Sequence, residues 1–508
     1  MNLGRTNTAS TKRESLQKTA LIGGVLIGGV VIGLAVITGI NASNINAIAM
    51  GAVVVVGLAG LFAWALGLPV MGLVRLGFIA SFFFKSDLTL YKIDEIEDPS
   101  GLNLSLTLIF ATVLVLYDYF TDYEREAVLP ASVSFLLTAL FVCSTVSVVY
   151  GGATLLGGSS LLSLITSVLI VYATASHFGR RDRIVQLIVG IGCGVLFTGT
   201  AAFSQYTFAW PTNLPYLGTG TESEQSGTQS IELSRVPGFL RTPNGMGWVI
   251  SCLVPLVMAP VICRVKGFTP NQRILLLGAT FAGIVGVILS LARGSWAGLV
   301  TAIVFMVVFG WVRLSTNERR SYFVSVAGAI ILTCTLLTPF SERIYDRLTE
   351  DDRGAASVRI PLMENALRMI EDNPFTGIGL NQYRREMTRY DETGMFVSQE
   401  FPNPVHNVFA HVTTEIGIPG GIIFCLLLIF AFFECLWAMR THDRLLFALG
   451  LGLSVALIAF AISGVKEPGS LGSVRPPMRT FFLLIGIAMA LTRIRLVLTS
   501  TRNSPIYQ

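Results

Sequence analysis

The sequence predicts an all-α polytopic membrane protein of about fourteen transmembrane helices, with a large helical extracytoplasmic loop. Three observations carry that prediction. Of 508 residues, 52% are hydrophobic and only 13% are charged, against the ~25% charged residues of a soluble domain. Apolar runs of about 20 residues recur along the chain, the length at which a helix crosses a bilayer. Lysine and arginine cluster in every second loop, as they do when one set of loops faces the cytoplasm. The runs are continuous rather than alternating, which excludes spanning strands.

Residues 1–19 are polar and carry Arg5, Lys12, Arg13 and Lys18. The run at 20–40 exceeds the roughly 7–15 residues of a signal-peptide core, and a second span follows at once, so it reads as a retained first helix. Further spans are expected near 46–67, 70–85, 103–120, 128–150, 158–177, 184–203, 244–263, 274–292, 296–312, 321–340, 418–439, 445–463 and 479–497. With the N-terminus inside, the inner loops hold Arg180, Arg181 and Arg183, then Arg264, Lys266 and Arg273, then Arg313, Arg319 and Arg320, then Arg440 and Arg444, and finally Arg493, Arg495 and Arg502. This orientation divides the chain into a cytoplasmic tail (1–19), N-terminal spans (20–203), an extracytoplasmic loop (204–243), central spans (244–340), a large extracytoplasmic loop (341–417), C-terminal spans (418–497) and a cytoplasmic tail (498–508).

The net charge of +5 says little, because the distribution of Lys and Arg is what matters in a membrane protein. The seven cysteines (Cys143, Cys193, Cys252, Cys263, Cys334, Cys425 and Cys435) lie in or beside apolar runs, and no two form a Cys-x-x-Cys pair. They read as small buried residues rather than disulfides or zinc ligands.

Two arginines fall at membrane depth. Arg75 lies inside the 70–85 run, where it either snorkels or pairs within the bundle, or serves a functional role. Arg293, in Ala292-Arg293-Gly294-Ser295-Trp296, sits where two helices turn round at the outer boundary, within reach of a lipid head-group. Glu434 lies near an inner helix end and reads as a solvated or paired structural charge. In the loop at 204–243, Arg235 and Arg241 flank a Pro237-Gly238 turn just before a span.

The chain has four histidines. His177 and His442 fall at inner helix ends beside arginines, where a solvated interfacial role suffices. His406 and His411 lie in the large loop, about 140° apart if both are helical. His411 and Glu415 stand one turn apart and can pair. His406 marks the start of the next helix, where the helix dipole disfavours imidazolium and leaves the neutral ring that a general base requires. A histidine that merely caps that helix fits the position equally well. Upstream, 357–373 reads as a helix with Pro361 in its first turn and one apolar face of Leu362, Met363, Ala366, Leu367 and Ile370, directed at the membrane bundle. Asn373-Pro374 ends it, and Gly377-Ile378-Gly379 follows as a tight turn. Arg359 and Arg368 lie about 180° apart, so at most one faces a central site.

These residues resemble the O-antigen ligases and O-antigen polymerases of bacterial surface-polysaccharide assembly. The signatures are Arg293-Gly294-Ser295-Trp296, then Asp372-Asn373-Pro374-Phe375-Thr376-Gly377-Ile378-Gly379, then His406-Asn407 followed by Glu415 and Gly417, with Arg241-Thr242-Pro243-Asn244 upstream. The resemblance covers about 235–425 and implies the lipid-donor membrane glycosyltransferase fold. It implies a polyprenyl-diphosphate-linked glycan as donor, a glycan, lipid-core or protein hydroxyl as acceptor, and transfer outside the cytoplasm. It makes His406 the base and Arg293, with Arg235 or Arg241, the diphosphate ligands. Asn407, Glu415, His411 and Arg359 are supporting candidates. No Asp-x-Asp pair stands in the outer loops, and guanidinium groups suit a leaving diphosphate, so metal-independent, inverting transfer with no cofactor is expected. A ligase is favoured over a polymerase. The reading from another class is a polytopic anion transporter lined by Arg75 and Arg293. Neither paired broken helices nor a need for a base-bearing loop supports it. Nothing points to nucleic acid.

Overall fold

The computed structural model describes residues 70–84, 87–92, 101–121, 128–152, 154–208, 235–240, 242–314, 338–349, 355–392, 394, 397–472 and 475–502, with scattered positions between 319 and 335. The spans expected at 20–40 and 46–67 lie outside the described residues, and that at 321–340 is described only in part. The described chain opens with α1 (Val70–Ala80), strands β1 (Asp87–Lys92) and β2 (Gly101–Ser105), and α2 (Leu106–Thr121). The helices α3 (Ala131–Tyr150), α4 (Leu155–His177), α5 (Arg181–Phe208), α6 (Pro243–Ile262), α7 (Pro270–Leu289) and α8 (Arg293–Arg313) follow. The polar segment forms α9 (Ser341–Thr349) and α10 (Ala355–Asp372), and the chain returns through α11 (Val408–Met439), α12 (Arg444–Gly464) and α13 (Pro476–Arg502).

Among the described residues nine helices, α3 to α8 and α11 to α13, are long and apolar enough to cross a membrane, against the fourteen or so expected. The runs at 70–85 and 103–120 form helices of only 11 and 16 residues, short of the ~20 that span a bilayer. The protein is not wholly helical either. β1 and β2 pair antiparallel, with a register shift between Thr89 and Tyr91. The Leu88-Thr89-Leu90 alternation suits a strand, and it is too short to stand out among long apolar runs.

Helix ends are fixed locally. Thr154, Thr242 and Asp443 accept backbone N–H groups at the starts of α4, α6 and α12. Thr269 and Gln272 form a capping box at α7. Each such cap stabilises its helix by about 1 kcal/mol. Between helices, small residues admit close approach, as membrane packing requires. A Cβ on Gly199 of α5 would stand 2.2 Å from the Ala282 carbonyl of α7, and one on Gly452 of α12 would stand 2.8 Å from the Pro255 carbonyl of α6. α6 and α12 are the most enclosed helices of the bundle. Beneath the functional end, an aromatic series runs Trp248, Phe460, Phe481, Phe424, Phe409, with successive ring centroids 5.0, 4.9, 4.6 and 5.9 Å apart. It ties α6, α12, α13 and α11 together.

The opposite end is rich in arginine. Arg181 pairs with Asp443, Arg495 with Glu434 at 3.0 Å, and Arg493 donates to the Ser176 carbonyl at 3.1 Å. Glu434 is thus a paired structural charge. His177 is not solvated as expected but fully buried. Arg75 Nε donates to His177 Nε2 at 2.9 Å, so Nδ1 carries the proton and donates to Asp118 Oδ1 at 2.8 Å. Ser176, Arg183 and Gln186 complete the network. Arg75 is therefore paired within the bundle.

The loop helix departs from its expected packing. α10 begins at Ala355, so Pro361 lies in its interior rather than in its first turn. Its buried face is Val358, Leu362, Ala366 and Met369, which join Ile378, Tyr383, Met387 and Val405 in a second small core. Leu367, expected in the apolar face, is exposed. The loop thus has a small core of its own, and α10 packs against α11 as well.

Candidate active site

Two glycine turns build the site's floor. α11 is broken at Ile416 and Gly417, and Gly417 has φ +75°. Gly377 has φ +68°, a conformation that strains any residue with a Cβ. The turns interlock. Ile378 N–H donates to the Thr414 carbonyl at 3.0 Å, Gly379 N–H to the Glu415 carbonyl at 3.2 Å, and Ile418 N–H to the Pro374 carbonyl at 2.8 Å. A Cβ on Gly377 would stand 2.2 Å from the Glu415 carbonyl oxygen, and one on Gly417 would stand 2.4 Å from that of Phe375. The need for glycine at 377 and at 417 follows from this one contact.

Glu415 is the hub above the break. It is 1% exposed. Its carboxylate meets His411 Nε2 at 3.3 Å, the Asn381 N–H at 3.1 Å and the Ser470 hydroxyl. The expected pairing of His411 with Glu415 is thus present. The His411 ring stands edge-on to Tyr383 at 5.0 Å. Both residues are buried and hold the loop to the bundle. Asn407 is the N-cap of α11, accepting from the N–H groups of Phe409 and Ala410 at 3.0 and 3.1 Å. The cap of α11 is therefore Asn407, not His406.

His406 is half-buried just ahead of that cap. Its Nδ1 is buried and without a hydrogen-bond partner. Burial, then the positive charge of Arg359, pulls its pKa down to about 4; a hydrogen bond to the Lys466 backbone opposes this, and His411 and Arg475 lower it further. The bond favours the protonated ring, so the Lys466 carbonyl accepts it. The neutral tautomer then keeps its lone pair on Nδ1. Arg359 is exposed on α10, beside Val358, which shares a core with Val405. Arg368 instead reaches the Tyr390 carbonyl at 3.3 Å.

The second half of the site is the turn from α7 to α8. Leu291 has φ +51° there, and Arg293 begins α8. Arg235 Nε donates to the Ser290 carbonyl at 3.2 Å, and its Nη2 bonds Asn244. Trp296 Nε1 donates to the Val287 carbonyl at 3.0 Å and staples the turn. A Cβ on Gly294 would lie 3.3 Å from Lys466 Cβ, so glycine lets the loop between α12 and α13 approach. Lys466 therefore touches the Arg293 turn with its side chain and His406 with its backbone. His406, Arg293 and Arg235 converge on one end of the bundle. Arg241 lies outside the described residues.

Residues 278–425 match the family model described as O-antigen ligase. That match supports the O-antigen ligase and polymerase family. The class this supports is a multi-pass membrane glycosyltransferase of the O-antigen ligase or polymerase type. No curated protein matches the chain.

The O-antigen ligase match runs from α7 to the upper part of α11, taking in Arg293 and His406 and leaving Arg235 and Lys466 outside. Sequence reasoning missed the loop at 465–475, which brings Lys466, Ser470 and Arg475 to the site. Arg479, buried in the first turn of α13, was missed with it. Three basic residues within fifteen positions after a span were the available signal. Arg347 is one of several charged residues in the polar segment that begins at 341. Its Nε donates to the Leu291 carbonyl at 3.3 Å.

Proposed function

We propose that this protein transfers a glycan from a polyprenyl-diphosphate carrier to an acceptor hydroxyl on the outer face of the cytoplasmic membrane, acting most like an O-antigen ligase. The observation that carries the reading is the unpartnered His406 Nδ1, on a ring whose backbone partner, Lys466, also touches the Arg293 turn. The acceptor oxygen attacks the anomeric carbon and forms the new glycosidic bond. Its proton passes to His406 Nδ1. The bond from that carbon to the diphosphate oxygen breaks, and the electron pair leaves with the diphosphate. Arg293, with Arg235 or Arg241, holds the leaving group through planar forks that match phosphate oxygens. Attack opposite the leaving group inverts the anomeric centre, and the guanidinium groups stand in for a divalent cation.

The orientation rests on the His177 end, where Arg181, Arg183, Arg493 and Arg495 gather, as cytoplasmic ends do. Both termini then lie in the cytoplasm, and the loops at 204–243 and 341–417 lie outside. The test is transfer by the purified protein in liposomes carrying a polyprenyl-diphosphate glycan. Transfer should persist in EDTA and vanish in His406→Ala. Retained transfer in that variant would end this mechanism. Product length assigns the acceptor class: single additions of a whole glycan mark a ligase, whereas growth by repeats marks a polymerase.

A further inference from the structure

Three arginines from three separate segments meet one short turn. Arg293 begins the helix that follows it. Arg235 arrives from the segment before α6 and Arg347 from α9, each bonding through Nε to consecutive carbonyls, those of Ser290 and Leu291. Arg235 and Arg347 are thus both anchored to this one turn, with Arg293 at the head of α8 beside it. Guanidinium forks gathered at one turn suit a ligand with several phosphate oxygens, which can accept from more than one of them. The left-handed Leu291 is an uncommon backbone for a residue with a branched side chain, and such outliers cluster at ligand sites.

We infer that Arg347 is a third guanidinium of the diphosphate site, closing it from the side of α9. This rests on the donor reading proposed above. The diphosphate gains one negative charge when the bond to the anomeric carbon breaks and its electron pair stays on the leaving oxygen. A third guanidinium meets that added charge, so Arg347 acts on the rate of transfer as well as on donor binding.

The alternative is that Arg347 only pins α9 to the bundle. The experiment uses the full-length protein in liposomes, with inorganic diphosphate as a competing probe. Arg347→Gln should lower kcat/KM for the donor roughly tenfold to a hundredfold and weaken inhibition by diphosphate, with an unchanged thermal unfolding midpoint. Arg347→Lys keeps the charge and a donor for the Leu291 carbonyl, so it holds α9 should the Gln variant fail to fold. It should still show weakened diphosphate inhibition, since an ammonium lacks the fork. Tyr345→Ala, on an exposed position of the same helix, should leave inhibition as in the wild type. A lowered midpoint with wild-type diphosphate inhibition in both Arg347 variants would make the residue a pin and overturn the inference. If His406→Ala and Arg293→Gln abolish transfer while Arg347→Gln keeps wild-type kcat/KM and inhibition, the inference alone fails. If His406→Ala and Arg293→Gln transfer normally, the function proposed above fails first.

Discussion

His177 and His406 stand at opposite ends of the same bundle, each close to arginines and each drawn out of water. His177 has both ring nitrogens met, Nε2 by Arg75 and Nδ1 by Asp118. His406 has its Nδ1 buried and unmet. A buried polar group without a partner costs about 1–3 kcal/mol, and proteins keep such groups where a ligand or a proton is to arrive. Arg75 is one of the two arginines first singled out by membrane depth, and its surroundings are closed. Arg293 is the other, and its turn touches Lys466, whose backbone meets the imidazole with the unmet nitrogen. Depth in the membrane marks both ends as costly, and the two imidazoles there differ in how completely they are hydrogen-bonded.

That contrast can be broken by substitution. His406→Ala should cost the largest factor, ~10²–10⁴ in transfer rate, with normal membrane level; the initial rate in liposomes measures it. Asp118→Ala should do the reverse. It leaves the His177 proton and Arg183 short of an acceptor and should destabilise the protein by about 3 kcal/mol, read as a lower unfolding midpoint in detergent. The folded fraction should keep its kcat. A selective loss of kcat there would put chemistry at the wrong end.

A pH profile sharpens the comparison further. His406 has its pKa lowered to about 4, so its lone pair is present above that pH and is lost only as pH falls through it. The acid limb of kcat/KM should therefore lie near 4. The bound diphosphate favours imidazolium, so the limb of kcat should lie higher. Arg359→Gln removes a neighbouring positive charge and should move the kcat/KM limb upward; a limb that did not move would place Arg359 away from the imidazole. The smallest effect belongs to Asn407→Ala, which removes the α11 cap at a cost of about 1 kcal/mol. It should lower the unfolding midpoint slightly while activity persists.

Much of this was legible in the chain. Apolar runs located all nine spanning helices among the described residues, because burial in lipid leaves no choice but a continuous apolar helix. The Arg293, Gly377-Gly379 and His406-Asn407 motifs were legible because each has a local backbone reason. What lay hidden depends on contacts between distant segments. Nothing in the residues around Lys466 says that its carbonyl meets His406, and nothing around Arg347 says that it meets Leu291. The apolar face of α10 was misjudged for the same kind of reason. Helical spacing shows which residues share a face, but Val405 and Tyr383, which Val358 and Leu362 cover, come from later in the chain.

The interlocked turns at Gly377 and Gly417 have a consequence for how such enzymes can be recombined. Each glycine clears the backbone of the other turn, so neither half of the lock tolerates drift alone. A hybrid that took its large loop from one relative and its C-terminal helices from another, with the seam between the two turns, would inherit mismatched halves. Exchanging 372–418 as a single cassette would carry both, and with them His406, Asn407 and the Glu415 hub.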